Sequence, residues 1–219
     1  MEQSRRRRLR RYESDGVPFA TEPGDPPLDF HSPFGPLIAR LRIPEARLAS
    51  LNQWADARVS AEQGSEFLVP RDVLDEGGET SLAAETARLV SRYLKRAEGD
   101  TPKRVEFEHF WVVSQYARTP SPVHFHTGDV SGVLYLKVPE LDHPEAEAER
   151  TYISGRQAGW INFIIGGKQR LSRSLASFEP VPGDFYVFPG WLLHGAEPFR
   201  GSGERRSLAF NAFVPAPEA

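Results

Sequence analysis

Two textures divide the chain. From Pro44, Leu48, Leu51, Trp54, Ala55 and Val59 fall at helical spacing, with Pro44 suited to a first turn. A second helix is expected from about Ser81: Leu82, Leu89, Val90, Tyr93 and Leu94 form a stripe. Lys95 and Arg96 suit the negative end of its dipole, and Gly99 stops it. Beyond Asp100, short runs rich in Val, Phe, Tyr and Ile are punctuated by Pro and Gly. Strands are expected near 104–117, 131–138, 159–165, 175–180, 184–188 and 204–214. With no helix between them, they predict an antiparallel sandwich or barrel, not a parallel α/β sheet. The fold class expected is mainly β (α+β): a jelly roll braced on one face by about two N-terminal helices.

Residues 1–32 show no periodicity and are rich in proline, glycine and charge, the composition of a disordered or loosely packed tail. Residues 33–219 are expected to form a single domain, which a chain of 219 residues can fill. Acidic residues 140–150 interrupt the strands as an exposed loop. No apolar stretch approaches the ~20 residues of a membrane span, so a soluble protein without a membrane partner is expected. The net charge of −3 conceals a basic block, Arg5, Arg6, Arg7, Arg8, Arg10 and Arg11. No apolar segment follows it, so secretion is not indicated and a cytoplasmic location is expected. Without interleaved aromatics it reads as a solvated tail, not a nucleic-acid contact.

The absence of cysteine confines any metal site to imidazole, carboxylate or water ligands. Of the six histidines, His124 and His126 occupy alternate positions of one extended segment, so both can face one ion while Phe125 packs on the other side. His194 follows the turn Val181–Asp184, the run Phe185–Phe188 and a second turn at Pro189-Gly190; a jelly roll can bring that strand end beside the first pair. Three protein ligands on one face of iron(II) leave positions open for a cosubstrate and dioxygen. A lone histidine is more often a hydrogen-bonded surface or core residue, but all three fall at strand ends. His31, His109 and His143 lack partners at useful spacing. Arg205, eleven residues beyond His194, begins the strand Arg205–Asn211. Alternation puts Arg205, Ser207, Ala209 and Asn211 on one face and Arg206, Leu208 and Phe210 on the other. Arg205 with the Ser207 hydroxyl suits the far carboxylate of a dicarboxylate, and Arg206 suits surface pairing across the sheet.

At these residues the chain resembles the iron(II) and 2-oxoglutarate-dependent oxygenase superfamily, more narrowly a bacterial branch of it. That branch carries His-x-His followed by Ser-Gly-Val-x-Tyr (here Ser131 to Tyr135). Then come Pro-x-x-Gly-Asp, Phe-Pro-x-Trp-Leu-x-His and Glu-Arg-x-Ser-x-Ala-Phe-Asn, the last at Glu204 to Asn211. The resemblance spans about Phe34 to Val214. It implies a double-stranded β-helix in which His124, His126 and His194 hold iron(II). It implies too that Arg205 and Ser207 hold 2-oxoglutarate while Tyr135, with Tyr116 as a rival, donates to that cosubstrate. The implied reaction uses dioxygen, decarboxylates 2-oxoglutarate to succinate and hydroxylates an unidentified substrate, with no catalytic side chain beyond the metal centre. Most of the superfamily has a carboxylate where His126 stands, and Asp129 is the alternative carboxylate ligand or a partner that orients an imidazole.

Two other classes fit parts of this pattern. A cupin-type three-histidine dioxygenase shares the ligand set but has no use for an arginine anchor. A non-catalytic ligand-binding jelly roll would use Trp111, Trp160 and Trp191 as stacking surfaces. The substrate, a small molecule or a peptide side chain, is not written in any motif. Its pocket walls are expected from loops 139–158 and 165–175, with Asn162 and Gln115 as polar candidates. A homo-oligomer is compatible with the sequence.

Overall fold

The computed structural model describes residues 10–13, 24–59, 65–119, 121–139, 158–166, 170, 173–199 and 201–215. Two antiparallel sheets face each other. The larger runs β1 (Arg10–Glu13), β5 (Arg104–Gln115), β12 (Arg205–Phe213), β7 (Val130–Lys137), β10 (Asp184–Pro189), β3 (Ile38–Arg42) and β2 (Asp29–His31); β4 (Ser65–Leu68) also pairs with β5. The smaller runs β6 (Ser121–His124), β11 (Leu193–Ala196), β8 (Ile161–Ile164) and β9 (Leu175–Phe178). This is the antiparallel double-stranded β-helix expected from the sequence.

Both expected helices form. The first, α1 (Glu45–Asp56), starts one residue after Pro44, which caps it. The second, α3 (Leu82–Glu98), begins where the Ser81 hydroxyl accepts from the Ala84 N–H at 3.2 Å. It ends at Gly99, whose φ of 87° and N–H to Lys95 O make a left-handed cap. A short helix, α2 (Arg71–Asp75), lies between them. No described helix is long and apolar enough to cross a membrane.

Alternation along the strands builds two cores. Phe185 and Val187 of β10, Leu134 and Leu136 of β7, and Leu208 and Phe210 of β12 face the helices. Tyr186, Phe188 and Tyr135 face the smaller sheet. Arg206 points with the helix-side set but is 1% exposed, which corrects the surface role expected for it. Its Nε and Nη2 donate to Glu204 at 2.7 and 2.8 Å, and its Nη1 meets Asp56 at 2.8 Å, tying α1 to the sheet.

The sequence places residues 1–32 outside the domain, yet Asp29–His31 pairs with β3, so the sheet begins before residue 33. That edge strand forms by backbone pairing and the packing of Phe30, neither of which needs periodicity in the sequence. Arg10–Glu13 pairs with β5, whereas residues 1–9, 14–23 and the acidic loop 140–150 lie outside the described residues.

Candidate metal centre

The ligand-bearing strands are neighbours because β11 lies between β6 and β8, with His194 opposite His124 on one side and Phe163 on the other. Beyond β6 the chain is held by a reciprocal pair of backbone bonds. The His126 N–H donates to Gly190 O at 2.8 Å, and the Gly190 N–H donates to Asp129 O at 2.9 Å. Two glycines permit this approach, since a side chain at Gly190 would overlap the Gly128 carbonyl.

His124, His126 and His194 converge, with their nearest ligand atoms all within 4.8 Å of one another. Ring centroids are 4.9 Å apart for His124 and His126, 4.4 Å for His124 and His194, and 5.1 Å for His126 and His194. A carbonyl can only accept, so two contacts fix the tautomer. His124 Nδ1 donates to Pro122 O at 2.8 Å, and His194 Nδ1 donates to Leu192 O at 2.9 Å. Each Nε2 is therefore a free lone pair. Burial pushes His126 down to about 4, assisted by the charges His124 and His109 would carry. Burial likewise pushes His194 down to about 3, against the opposing pull of the Leu192 carbonyl. Both rings are neutral at pH 7, the state that binds a metal. No carboxylate of the described residues joins this group. Asp129 is engaged elsewhere, accepting from the Val214 N–H at 2.8 Å.

One cavity between the sheets holds the three histidines together with Trp111, Gln115, Tyr135, Arg205 and Ser207. Arg205 is 2% exposed, and its Nε and Nη2 both donate to Gln115 Oε1, at 3.1 and 2.7 Å. Its Nη1 donates to the Glu197 backbone carbonyl at 2.7 Å. The Glu197 carboxylate accepts instead from Asn162, so no described carboxylate forms an ion pair with Arg205. Burial pulls the Arg205 pKa below the ordinary arginine value, with Tyr135 and Glu197 acting the other way. Tyr135 is 2% exposed, and burial pushes its phenol up to about 12 despite Arg205, so it stays protonated.

Several expectations change. Phe125 is 62% exposed, not packed. Gln115 faces the cavity, whereas Asn162 donates to the Glu197 carboxylate and accepts from the Ser177 hydroxyl. Tyr135 lines the cavity and Tyr116 does not. His109 has a partner the spacing did not reveal: its ring lies 4.9 Å from that of Trp111, which in turn meets His126 at 5.6 Å. His31 packs against Phe178 at 5.0 Å, and His143 lies outside the described residues. Residues 140–157, 167–169, 171 and 172 of the two expected wall loops also lie outside them.

A double-stranded β-helix with a histidine triad beside a buried arginine defines a class, and the comparisons with known proteins agree with it. Residues 109–211 match a family model described as "Putative 2OG-Fe(II) oxygenase". Over that segment, a little under half of the chain, the sequence is similar to this family of oxidoreductases, and the match together with the fold supports membership of the iron(II) and 2-oxoglutarate-dependent oxygenase superfamily. Among solved structures it is similar to EvdO2 from Micromonospora carbonacea var. aurantiaca, with a TM-score of 0.53, 17% identity and coverage of 83% of this chain and 88% of that one. A prolyl-4-hydroxylase from Pseudomonas putida gives a TM-score of 0.50 at 14% identity, covering 82% and 93%. HygX from Streptomyces hygroscopicus, with nickel, 2-oxoglutarate and hygromycin B bound, gives 0.50 at 13% identity, covering 80% and 82%. At such identities these likenesses concern the fold. No curated protein matches the chain in sequence. Iron(II) and 2-oxoglutarate are the cofactor and cosubstrate of the family, and the three imidazoles are positioned to bind a metal.

Proposed function

We propose that the protein is a hydroxylase in which His124, His126 and His194 hold iron(II) and Arg205 with Ser207 anchors 2-oxoglutarate. The observation that carries this reading is Arg205: a guanidinium almost fully withdrawn from water, without a described carboxylate partner, in the same cavity as three converging imidazoles. A buried cation left so is costly, and an incoming carboxylate would offset that cost. Ser207 stands on the same face of β12 two residues on and supplies a hydroxyl beside it. Gln115 aims the guanidinium by holding two of its donors on one amide oxygen.

The donor set suits iron(II). Two imidazoles are locked with Nε2 free and the third is kept neutral by burial, which fits a ligand face with vacant positions opposite. When bound, the metal supplies the place where dioxygen is reduced as 2-oxoglutarate, dioxygen and a substrate C–H become succinate, carbon dioxide and a C–OH. The chain's residues bind, orient and shield. Tyr135, protonated and buried, donates a hydrogen bond to the cosubstrate. Trp111, Phe188 and Ile161 line the cavity and keep bulk water from it. Asp129 braces the loop after the first ligand pair and does not coordinate.

The substrate is a small molecule or a peptide side chain. A cupin-type dioxygenase would share the three histidines, but it gives Arg205 no ligand. The test is succinate formation from 2-oxoglutarate under air with iron(II) and ascorbate. The wild type should form succinate, if slowly without its substrate, and His194→Ala should form none above the metal-only background. Equal rates in the two proteins would overturn the proposal.

A further inference from the structure

The larger sheet continues past the cavity wall. Leu68 of β4 pairs with Trp111 of β5, and Glu66 pairs with Val113. Trp111 and Val113 face the cavity, and residues directly opposite on paired strands share a face, so Leu68 and Glu66 extend that face outwards. The other face confirms the sense: Phe67 packs on Trp54 of α1 with ring centroids 5.7 Å apart. One row thus crosses three strands, Ala209, Trp111 and Leu68. At its middle is the Trp111 ring, 5.6 Å from that of His126. Its outer end is Leu68, 63% exposed, beside the exposed Glu66, which forms no ion pair among the described residues.

An apolar side chain held open to water next to the metal cavity, with a carboxylate at its margin, is a recognition surface of stated chemistry. We infer that the row is the docking shelf of the substrate. The substrate carries an apolar segment that lies on Trp111 and Leu68 and a cationic group that meets Glu66. Strand spacing of about 4.8 Å and a rise of about 3.3 Å per residue place Glu66 on the order of 10 Å from the histidines. The oxidised carbon therefore lies that far from the cation. The inference rests on the oxygenase reading only for which end of the substrate reaches the metal.

The probes are octylamine, octanoate and 1-octanol, titrated calorimetrically into the full-length manganese(II)-loaded protein with 2-oxoglutarate. Octylamine should bind roughly threefold or more tightly than 1-octanol, the scale of an exposed ion pair. Glu66→Lys should reverse the order in favour of octanoate. Leu68→Asp should weaken 1-octanol by roughly fivefold or more through lost apolar contact. Both positions are exposed, so the fold should persist, as an unchanged far-ultraviolet dichroism spectrum would verify. Manganese(II) should broaden the proton signal of the octylamine methyl more than that of the methylene beside nitrogen. A preference for the amine that survives Glu66→Lys would reduce to the overall negative charge of the protein and overturn the inference, as would indifference to Leu68→Asp or broadening greatest at the amine end. These outcomes are separable from failure of the oxygenase reading. Succinate formation without the probe preference removes the shelf alone, and the preference without succinate removes the reaction alone.

Discussion

Arg205 and Arg206 are adjacent in sequence and opposite in role, because strand alternation sends one to each face of β12. Arg206 is matched on every side by Glu204, Asp56 and Asn52, while Arg205, among the described residues, hydrogen-bonds an amide and a carbonyl oxygen and lies over the Phe199 ring. The two substitutions should separate cleanly. Arg205→Ala should weaken 2-oxoglutarate by roughly 30-fold or more, the 2–5 kcal/mol typical of truncating one partner of a buried charge pair, with metal affinity unchanged. Arg206→Ala should leave 2-oxoglutarate affinity alone and lower unfolding free energy by roughly 3 kcal/mol in urea. Asp129→Ala should retain the metal and lose about 1 kcal/mol of stability with its bond to Val214. A metal affinity that collapses in Asp129→Ala would make that carboxylate a ligand.

The depressed histidines also fix a pH dependence. His126 falls to about 4 and His194 to about 3 in the folded chain, against about 6.5 when unfolded. Below 6.5 the unfolded chain takes up protons that the folded one refuses, so stability rises with pH through this window. The metal-free protein should therefore lose stability as pH falls from about 6.5 towards 4 and 3. Denaturant titrations at pH 7 and pH 5 measure it, and the slope should flatten in His194→Gln. An unchanged slope in that variant would assign the acid sensitivity to other groups.

At the scale of elements, legibility followed periodicity. The stripe of α3, its Ser81 cap and its Gly99 stop are all local signals, and so is the alternation that parts Arg205 from Arg206. β6 is different: Val123 and His124 are exposed and Pro122 interrupts the run, so no alternation of apolar residues marks it. The short edge strands β2 and β4 are likewise defined by their partners more than by their own residues. The histidines could be picked out as a set, but the role of Gln115 and the contact of Trp111 with His126 depend on pairings between distant segments. Gly128 and Gly190 left a trace in the sequence that only the docking of two turns explains. Gly190→Ala should force those turns apart. We expect a lower melting temperature and weaker metal binding, whereas wild-type values for both would show that the close approach is dispensable.

Over the whole molecule, the two cores divide the work. The helix-side core, from Leu82 to Phe210, stiffens the larger sheet, while the core between the sheets gives way at one end to the cavity with its histidines and arginine. The smaller sheet supplies His124 and His194, the loop after it supplies His126, and the larger sheet supplies Arg205, Ser207 and Tyr135. Neither sheet is sufficient without the other, so in the proposed function a metal and a dicarboxylate would meet only in the closed sandwich. Anaerobic titration of the iron(II) protein with 2-oxoglutarate tests that joint site. A saturable visible metal-to-ligand charge-transfer band, lost in His194→Ala and shifted to higher 2-oxoglutarate concentration in Arg205→Ala, is the predicted result. Iron bound without any such band would contradict the account.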